Sequence, residues 1–174
     1  MSTIVLVGLM GTGKSTSGRL IATRLNRELI DSDTVIESDT GVTVRELWES
    51  GGEAAYRELE SRVVLDSVHL DPPVVVAAPG GVVLDPSVRE ALKDCFVAWL
   101  RADPKLVAQR VAVDDHRPLL GSDPAGVLSQ MATERAGLYS AVADVVIDID
   151  SLTPEQVAER IIDAYGNRSD LVLA

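Results

Sequence analysis

The eight residues Gly8–Ser15, which read GLMGTGKS, decide the fold of this chain. They match the phosphate-binding pattern G-x-x-x-x-G-K-[ST] at every defined position. The apolar run Ile4 to Val7 precedes them and predicts a buried strand, and the pattern over Ser15 to Asn26 predicts a helix. A strand–loop–helix unit points backbone N–H groups and the positive end of a helix dipole at one place. The segment therefore predicts a binding site for nucleotide phosphates.

The side chains of this loop predict how the phosphates are held. Lys14 adds a full positive charge for the β- and γ-phosphates of ATP, and the Ser15 hydroxyl is placed to bind Mg²⁺. A glycine-rich turn without a ligand is the alternative, but the complete match and both flanks favour nucleotide binding. The predicted nucleotide-binding residues here are Gly11, Thr12, Gly13, Lys14, Ser15 and Thr16.

Composition indicates one globular domain, residues 1–174, and excludes several classes of protein. Hydrophobic residues make up 46% of the 174, whereas aromatic residues make up only 3%, so aliphatic side chains must fill the core. The net charge is −11 and no cluster of Lys and Arg occurs, which argues against nucleic-acid and anionic-membrane partners. No signal peptide and no apolar run of about 20 residues is present, so we expect a cytoplasmic protein.

The single cysteine cannot form a disulfide within the chain. Cys95 begins the apolar run CFVAWL, which predicts a buried and unreactive thiol.

Short apolar runs alternate with helical patterns along the whole chain. Such alternation predicts an α/β fold with a parallel sheet covered by helices on both faces. Ligands of these folds bind beyond the carboxyl ends of the strands. The predicted strands are Ile4–Val7, Glu28–Asp31, Val74–Ala77, Phe96–Leu100 and Val145–Ile149. The predicted helices are Ser15–Asn26, Thr43–Ser50, Glu53–Val68, Pro86–Asp94, Pro104–Val111, Asp123–Val142 and Pro154–Tyr165.

Residues 111–124 interrupt the alternation with charged residues, proline and glycine, among them Arg117. We interpret this segment as a mobile lid over the site; an ordinary surface connection is the alternative.

Asp31 and Asp33 close the second predicted strand. Carboxylates two residues apart on an extended chain point the same way. One is suited to holding Mg²⁺, and the other to orienting a substrate hydroxyl or taking its proton. The alternative is that Asp33 only caps the helix that follows.

The run Pro79-Gly80-Gly81 closes the third predicted strand. Glycines let a ligand approach the backbone closely, and the N–H groups of Gly80 and Gly81 are available to donate to it. Proline has no N–H, so Pro79 does not donate. A simple turn explains the run equally well without further context.

Three arginines are candidates for binding anions. Arg57 lies three residues before Glu60 on a predicted helix, close enough for the carboxylate to hold its guanidinium. Arg117 lies on the predicted lid and Arg135 on a long helix. Taken singly, each is more typical of a solvated surface.

Taken together, these segments resemble the shikimate kinase family of P-loop enzymes, related to the nucleoside monophosphate kinases. The resemblance extends from Ile4 to Tyr165 and rests on the order of the motifs GLMGTGKS, DSD, YRELE, GG, RPLL and RAGLY. It implies a three-layer P-loop fold with a five-stranded parallel sheet and a lid. The implied activity is transfer of the γ-phosphoryl group of ATP to the 3-hydroxyl of shikimate, with Mg²⁺ and in a monomer.

The resemblance also assigns roles on the nucleotide side of the site. Lys14 would hold the β- and γ-phosphates, Ser15 would bind Mg²⁺, and Asp31 would support the metal through water. Arg117 would neutralise charge on the transferring group. Arg110 would stack on adenine, with Thr153 and Pro154 beside it.

For the acceptor, the resemblance implies that Asp33 binds the ring hydroxyls and serves as the base. Arg57 and Arg135 would clamp the substrate carboxylate, and Gly80 and Gly81 would approach the hydroxyls. An apolar wall around the ring would comprise Val44, Trp48 and Tyr56. Helices over about residues 32–62 would form this substrate-binding region.

Pro79 departs from the resemblance, because the family usually shows three glycines here. The phosphotransfer residues are intact, so the departure bears on the identity of the acceptor. The alternatives are therefore a P-loop kinase of another small anionic hydroxylated metabolite, such as a gluconate-like sugar acid, and a non-catalytic ATP-binding regulator. A nucleoside monophosphate kinase fits the compact apolar wall less well.

Overall fold

Five short parallel strands form one sheet in the order β2-β3-β1-β4-β5. The computed structural model describes residues 1–111 and 123–172, and the side chains of residues 1–110 and 123–168. Every predicted strand is confirmed, with its ends within one residue. The strands are β1 (Ile4–Val7), β2 (Leu29–Asp31), β3 (Val75–Ala77), β4 (Phe96–Arg101) and β5 (Val145–Asp148).

Helices connect the strands, as the predicted alternation requires. They are α1 (Lys14–Leu25), α2 (Ser32–Thr40), α3 (Val44–Val68), α4 (Pro86–Ala91), α5 (Pro104–Val111), α6 (Pro124–Val142) and α7 (Pro154–Val172). Two 3₁₀ turns, Val82–Leu84 and Leu92–Asp94, flank α4. None of the helices in the described ranges combines the length and apolar character that a membrane crossing requires.

Alternation along the central strands builds a core on each face of the sheet. Ile4 and Leu6 of β1 face one cluster, which α1 and α7 cover through residues such as Ile21 and Ile161. Val5 and Val7 face the other cluster, which includes residues of α3, α4 and α6. Successive strand residues point to opposite faces, so both sides of β1 must be apolar. The three-layer α/β architecture is confirmed.

The start of α3 shows how local sequence sets a helix end. The Thr43 hydroxyl accepts from the Glu46 N–H, and the Glu46 carboxylate accepts from the Thr43 N–H at 2.7 Å. This capping box satisfies two backbone donors that would lack helical partners. Within α3, Gly52 has φ 74° and ψ 179°, which breaks the helical path. The two helices predicted over 43–50 and 53–68 are therefore the two arms of a kinked element.

The structure corrects the predicted geometry of the DSD run. Asp31 is extended and ends β2, but Ser32 and Asp33 already belong to the first turn of α2. The two carboxylates are thus presented by different elements and not by one extended segment. The N-cap of α2 is Asp31, without a side-chain capping bond, so the alternative that Asp33 caps the helix is wrong. The predicted lid, about residues 111–124, lies almost wholly outside the described residues.

Candidate active site

A cavity of about 460 Å³ lies beyond the carboxyl ends of β1, β2 and β3. Segments far apart in the sequence meet there, as expected for the ligand site of an open parallel sheet. Predicted site residues that line it are Gly11, Gly13, Lys14, Ser15, Thr16, Asp31, Asp33, Arg57, Gly80, Gly81, Arg110 and Arg135.

The phosphate loop, residues 8–15, joins β1 to α1. Gly13 is the N-cap of α1 with φ 81°, and Gly11 has φ 75°; both angles favour glycine. Lys14 Nζ donates to the carbonyl oxygens of Gly8 at 3.0 Å and Leu9 at 2.8 Å. The ammonium group is therefore held beside the backbone of the loop, at the amino end of a helix.

Two further contacts keep the phosphate loop close to the sheet. Gly8 has φ 141°, and a Cβ there would lie 2.5 Å from the carbonyl oxygen of Leu100 in β4. Thr12 is buried, and its hydroxyl donates to the carbonyl oxygen of Leu9 at 2.9 Å. Thr12 does not line the cavity through its side chain, so its predicted nucleotide contact stays a prediction.

The oxygen groups at the base of the cavity suit a hard cation. Ser15 and Thr16 lie exposed in the first turn of α1, and Asp31 lies at the end of the neighbouring β2. Among the described residues, no group of three His, Cys, Asp or Glu side chains is arranged to hold a metal by itself. Mg²⁺ commonly takes one or two protein ligands together with phosphate oxygens and water. Ser15 and Asp31 fit such a site.

Asp33, Tyr56, Arg57 and Glu60 form a connected carboxylate–arginine cluster on the other side of the cavity. The Tyr56 hydroxyl donates to Asp33 Oδ1 at 3.1 Å. Arg57 Nη1 donates to Glu60 Oε2 at 2.5 Å, and Arg57 also bonds the exposed Glu53 at 3.3 Å. The expectation that Glu60 holds the Arg57 guanidinium is confirmed, and the pair is not a loose surface contact, because the Glu60 side chain is only 3% exposed.

Burial shapes the protonation of this cluster. Desolvation raises the pKa of the Tyr56 phenol far above its ordinary value, and the charges of Glu60 and Asp33 act in the same direction. Burial also raises the pKa of Glu60, although Arg57 opposes this. Burial disfavours the Arg57 cation, but the carboxylates of Glu60 and Glu53 outweigh it and raise the pKa of Arg57. Tyr56 is thus a neutral donor, and Arg57 is a fixed cation at the cavity wall.

The two glycines after β3 permit close approach of protein groups from both sides. A Cβ on Gly80 would lie 3.2 Å from the carbonyl oxygen of Gly8 in the phosphate loop. A Cβ on Gly81 would collide with the guanidinium of Arg57. These glycines therefore let the phosphate loop and the carboxylate–arginine cluster approach the same backbone segment.

Helix α6 fixes the Gly80 carbonyl with two side chains. Arg135 Nη1 donates to it at 3.0 Å, and the Tyr139 hydroxyl donates to it at 2.5 Å. These residues lie four apart on one face of α6, and the Tyr139 ring stacks on Trp99 of β4. Arg135 is 6% exposed, and its Nε has no hydrogen-bond partner among the described residues. A buried cationic donor of this kind suits an anionic ligand.

An apolar surface adjoins these polar groups. Trp48 and Tyr56 make an edge-to-face contact with ring centroids 5.7 Å apart, and the guanidinium of Arg57 lies 5.8 Å from the centre of the Trp48 ring. Val44 completes the apolar lining. The family resemblance implied such a wall of all three residues. The Tyr139 contact was not predicted, although Tyr139 ends the RAGLY motif four residues after Arg135.

Some predicted site residues are not brought to the cavity by the described structure. Pro154 is exposed at the start of α7 and does not line the cavity, so its role beside adenine stays a prediction. Arg110 does line the cavity, from the last turn of α5. Arg117 lies outside the described residues.

Comparison with known proteins agrees with this geometry. A family model described as Shikimate kinase matches residues 10–165. The chain belongs to the shikimate kinase family. A shikimate kinase of Paramagnetospirillum magneticum is 39% identical over 97% of this chain and 87% of the relative. The family assignment therefore covers nearly the whole sequence.

Solved structures of the family share the fold. A shikimate kinase from Acinetobacter baumannii, in complex with shikimate, has a TM-score of 0.91 and 34% identity, covering 97% of this chain and 94% of that one. A gluconokinase from Sinorhizobium meliloti has a TM-score of 0.62 and 15% identity, covering 99% of this chain and 95% of that one, which is a likeness of fold alone. The sugar-acid kinase alternative is therefore not favoured.

Proposed function

We propose that this shikimate kinase family member transfers the γ-phosphoryl group of ATP to the 3-hydroxyl of shikimate, giving shikimate 3-phosphate and ADP. One observation carries the proposal. One cavity is lined by the phosphate loop, by Asp33 and by two arginines suited to a carboxylate, Arg57 and Arg135. A phosphate donor and an anionic alcohol therefore have complementary groups in one enclosed space.

The phosphate loop supplies positioning and charge for the donor. Backbone N–H groups at the start of α1 bind phosphate oxygens, and Lys14 leaves its carbonyl partners to bind the β- and γ-phosphates. Ser15 and Asp31, the latter through water, would hold Mg²⁺, which when bound neutralises charge on the phosphates. Phosphoryl transfer needs alignment and charge compensation more than covalent chemistry by the protein.

The opposite side of the cavity orients the acceptor. Arg57 and Arg135 bind the carboxylate of shikimate, since paired guanidinium groups recognise a planar anion well. Asp33 accepts a hydrogen bond from the reacting hydroxyl and takes its proton as the bond to phosphorus forms. Gly80 and Gly81 line the same cavity, and their N–H groups are suited to donate to the hydroxyls or to the transferred phosphate.

Three predicted residues complete the proposal for the nucleotide. Arg110 stacks on adenine from the end of α5, and Pro154 packs beside it. Arg117, on the predicted lid, approaches the transferring group when the lid closes and excludes water. We also propose that the enzyme acts as a cytoplasmic monomer; elution at twice the monomer mass in light scattering would contradict the monomer.

A panel of acceptors tests the activity directly. ADP release is measured with ATP, Mg²⁺ and shikimate, gluconate or a nucleoside monophosphate. Turnover with shikimate supports the proposal, and turnover only with another acceptor overturns the substrate assignment. ATP binding without acceptor-stimulated turnover would indicate a regulator in place of an enzyme.

The variant Pro79→Gly tests whether the departure at this position changes the acceptor. Pro79 is buried, and its carbonyl accepts from the Val82 N–H at 3.3 Å, a hydrogen bond that glycine can also make. We expect kcat/KM for shikimate to change by no more than about threefold. A strong rise with Gly would mean that the natural acceptor is a different molecule.

A further inference from the structure

The hydroxyl of Tyr56 has a contact that an apolar wall does not need. The ring alone would complete the wall, because its edge-to-face contact with Trp48 does not involve the hydroxyl. The residue is only 4% exposed, however, and a buried hydroxyl without a partner is costly. The hydroxyl finds its acceptor in Asp33 Oδ1, 3.1 Å away on a different helix.

The contact restricts the orientation of Asp33. It lies in the first turn of α2 and is exposed toward the cavity, where a short carboxylate side chain has several rotamers available. Tyr56, by contrast, is held by α3 and by the edge-to-face contact with Trp48. A hydrogen bond from a fixed ring to a movable carboxylate restricts the carboxylate and leaves the ring where it is.

The contact also places Asp33 beside the group proposed to bind the acid. Glu60 lies one turn along α3 from Tyr56 and holds Arg57 at 2.5 Å. The Arg57 guanidinium lies 5.9 Å from the centre of the Tyr56 ring. Tyr56 therefore contacts Asp33 through its hydroxyl and Arg57 through its ring.

We propose that Tyr56 is a positioning residue whose hydroxyl sets the orientation of the Asp33 carboxylate beside the Glu60–Arg57 pair. Resting on the proposed function, this assigns Tyr56 a part in aligning the acceptor hydroxyl, beyond its part in the apolar wall. Tyr56 does not touch the reacting atoms and exchanges no proton with the substrate.

The variant Tyr56→Phe removes the hydroxyl and keeps the ring. We expect kcat with shikimate to fall about tenfold, because a hydrogen bond to a charged group is lost in the aligned state. KM for ATP should stay within about twofold, since the hydrogen bond that is lost joins Tyr56 of α3 to Asp33 of α2. The circular dichroism spectrum should match that of the unchanged protein, which excludes misfolding as the cause.

Tyr165→Phe is the matched control. Tyr165 is also buried, at 7% exposure, and its hydroxyl bonds Ser2 and Arg27 near the amino ends of the strands. This variant removes a buried tyrosine hydroxyl at the end of the sheet opposite the cavity. We expect a lower melting temperature with unchanged kcat.

A double variant separates positioning from structural support. If Tyr56 acts through Asp33, then adding Tyr56→Phe to Asp33→Ala, which has no side-chain acceptor for the phenol, should change the residual kcat by less than about twofold. Full additivity of the two effects, or an unchanged kcat in Tyr56→Phe alone, would overturn the inference while leaving the proposed function intact. Absence of turnover by the unchanged protein with shikimate would overturn the proposed function, and this inference with it.

Discussion

The phosphate loop is made of eight consecutive residues, whereas the carboxylate–arginine cluster is assembled from two helices and rests on the glycines after a distant strand. Backbone geometry carries the function of the first. Its main features are glycines at positive φ and a helix start, which a short motif specifies completely. The function of the carboxylate–arginine cluster depends on side-chain contacts, and these depend on how α2 and α3 pack. We therefore expect substitutions in the phosphate loop to impair the binding of the nucleotide. Substitutions in the carboxylate–arginine cluster should instead misalign the acceptor.

Lys14→Met should have the largest effect, because it removes the cation proposed to bind the phosphates of ATP. The change removes the only full charge of the loop, so we expect kcat to fall roughly a thousandfold or more. Steady-state ADP release with saturating shikimate measures it. Lys93→Met is the control, because Lys93 is exposed and pairs with the exposed Glu90. Near-normal turnover of Lys14→Met would contradict the assignment of the phosphate loop.

Asp33→Asn should lower turnover of the acceptor and leave ATP binding unchanged. Loss of a base or orienting carboxylate lowers kcat by about 10²- to 10⁴-fold. The Kd for ATP, measured by calorimetry, should stay close to that of the unchanged protein. Asp39→Asn, in the same helix and exposed, is expected to leave both quantities unchanged. A large loss of ATP affinity in Asp33→Asn would show that the two sides are not separable.

Gly81→Ala tests the segment after β3, which lies against both the phosphate loop and the carboxylate–arginine cluster. Its Cβ would collide with the guanidinium of Arg57, so the guanidinium that Glu60 holds must shift. We expect KM for shikimate to rise roughly tenfold to a hundredfold, with KM for ATP nearly unchanged. Gly166→Ala is the control, because no described atom lies within 4 Å of the Cβ it adds, and its helical position favours alanine. An equal rise in both KM values would point to general damage at the end of β3.

Thr12→Val should have the smallest effect and should act on the phosphate side alone. It removes the hydrogen bond to the Leu9 carbonyl while keeping a β-branched side chain. Loss of one neutral hydrogen bond predicts a rise of about fivefold in KM for ATP, seen in initial-rate kinetics at fixed shikimate. Thr23→Val, whose exposed hydroxyl bonds only its own helix, should leave KM for ATP unchanged. A larger effect on shikimate than on ATP would contradict the expected separation.

Much of the fold could be predicted because it depends on local patterns. Largely apolar runs of four or five residues located all five strands of the described sheet. The prediction that Asp31 and Asp33 lie on one extended segment was wrong, because Asp33 lies in α2. Nothing local to Asp33 shows that a helix begins at once after β2, because that helix is stabilised by packing of Ile36 against Tyr56 and Val63.

By itself, the sequence determined the phosphate loop, the five strands and the pairing of Arg57 with Glu60, because each depends on residues within one or two helical turns or one strand. Which side chains meet at the cavity depends on the tertiary structure. The bond from Tyr56 to Asp33, the contact of Gly81 with Arg57 and the two donors on the Gly80 carbonyl all join separate elements. Such contacts depend on the relative placement of packed helices, which residue spacing within a single segment does not encode.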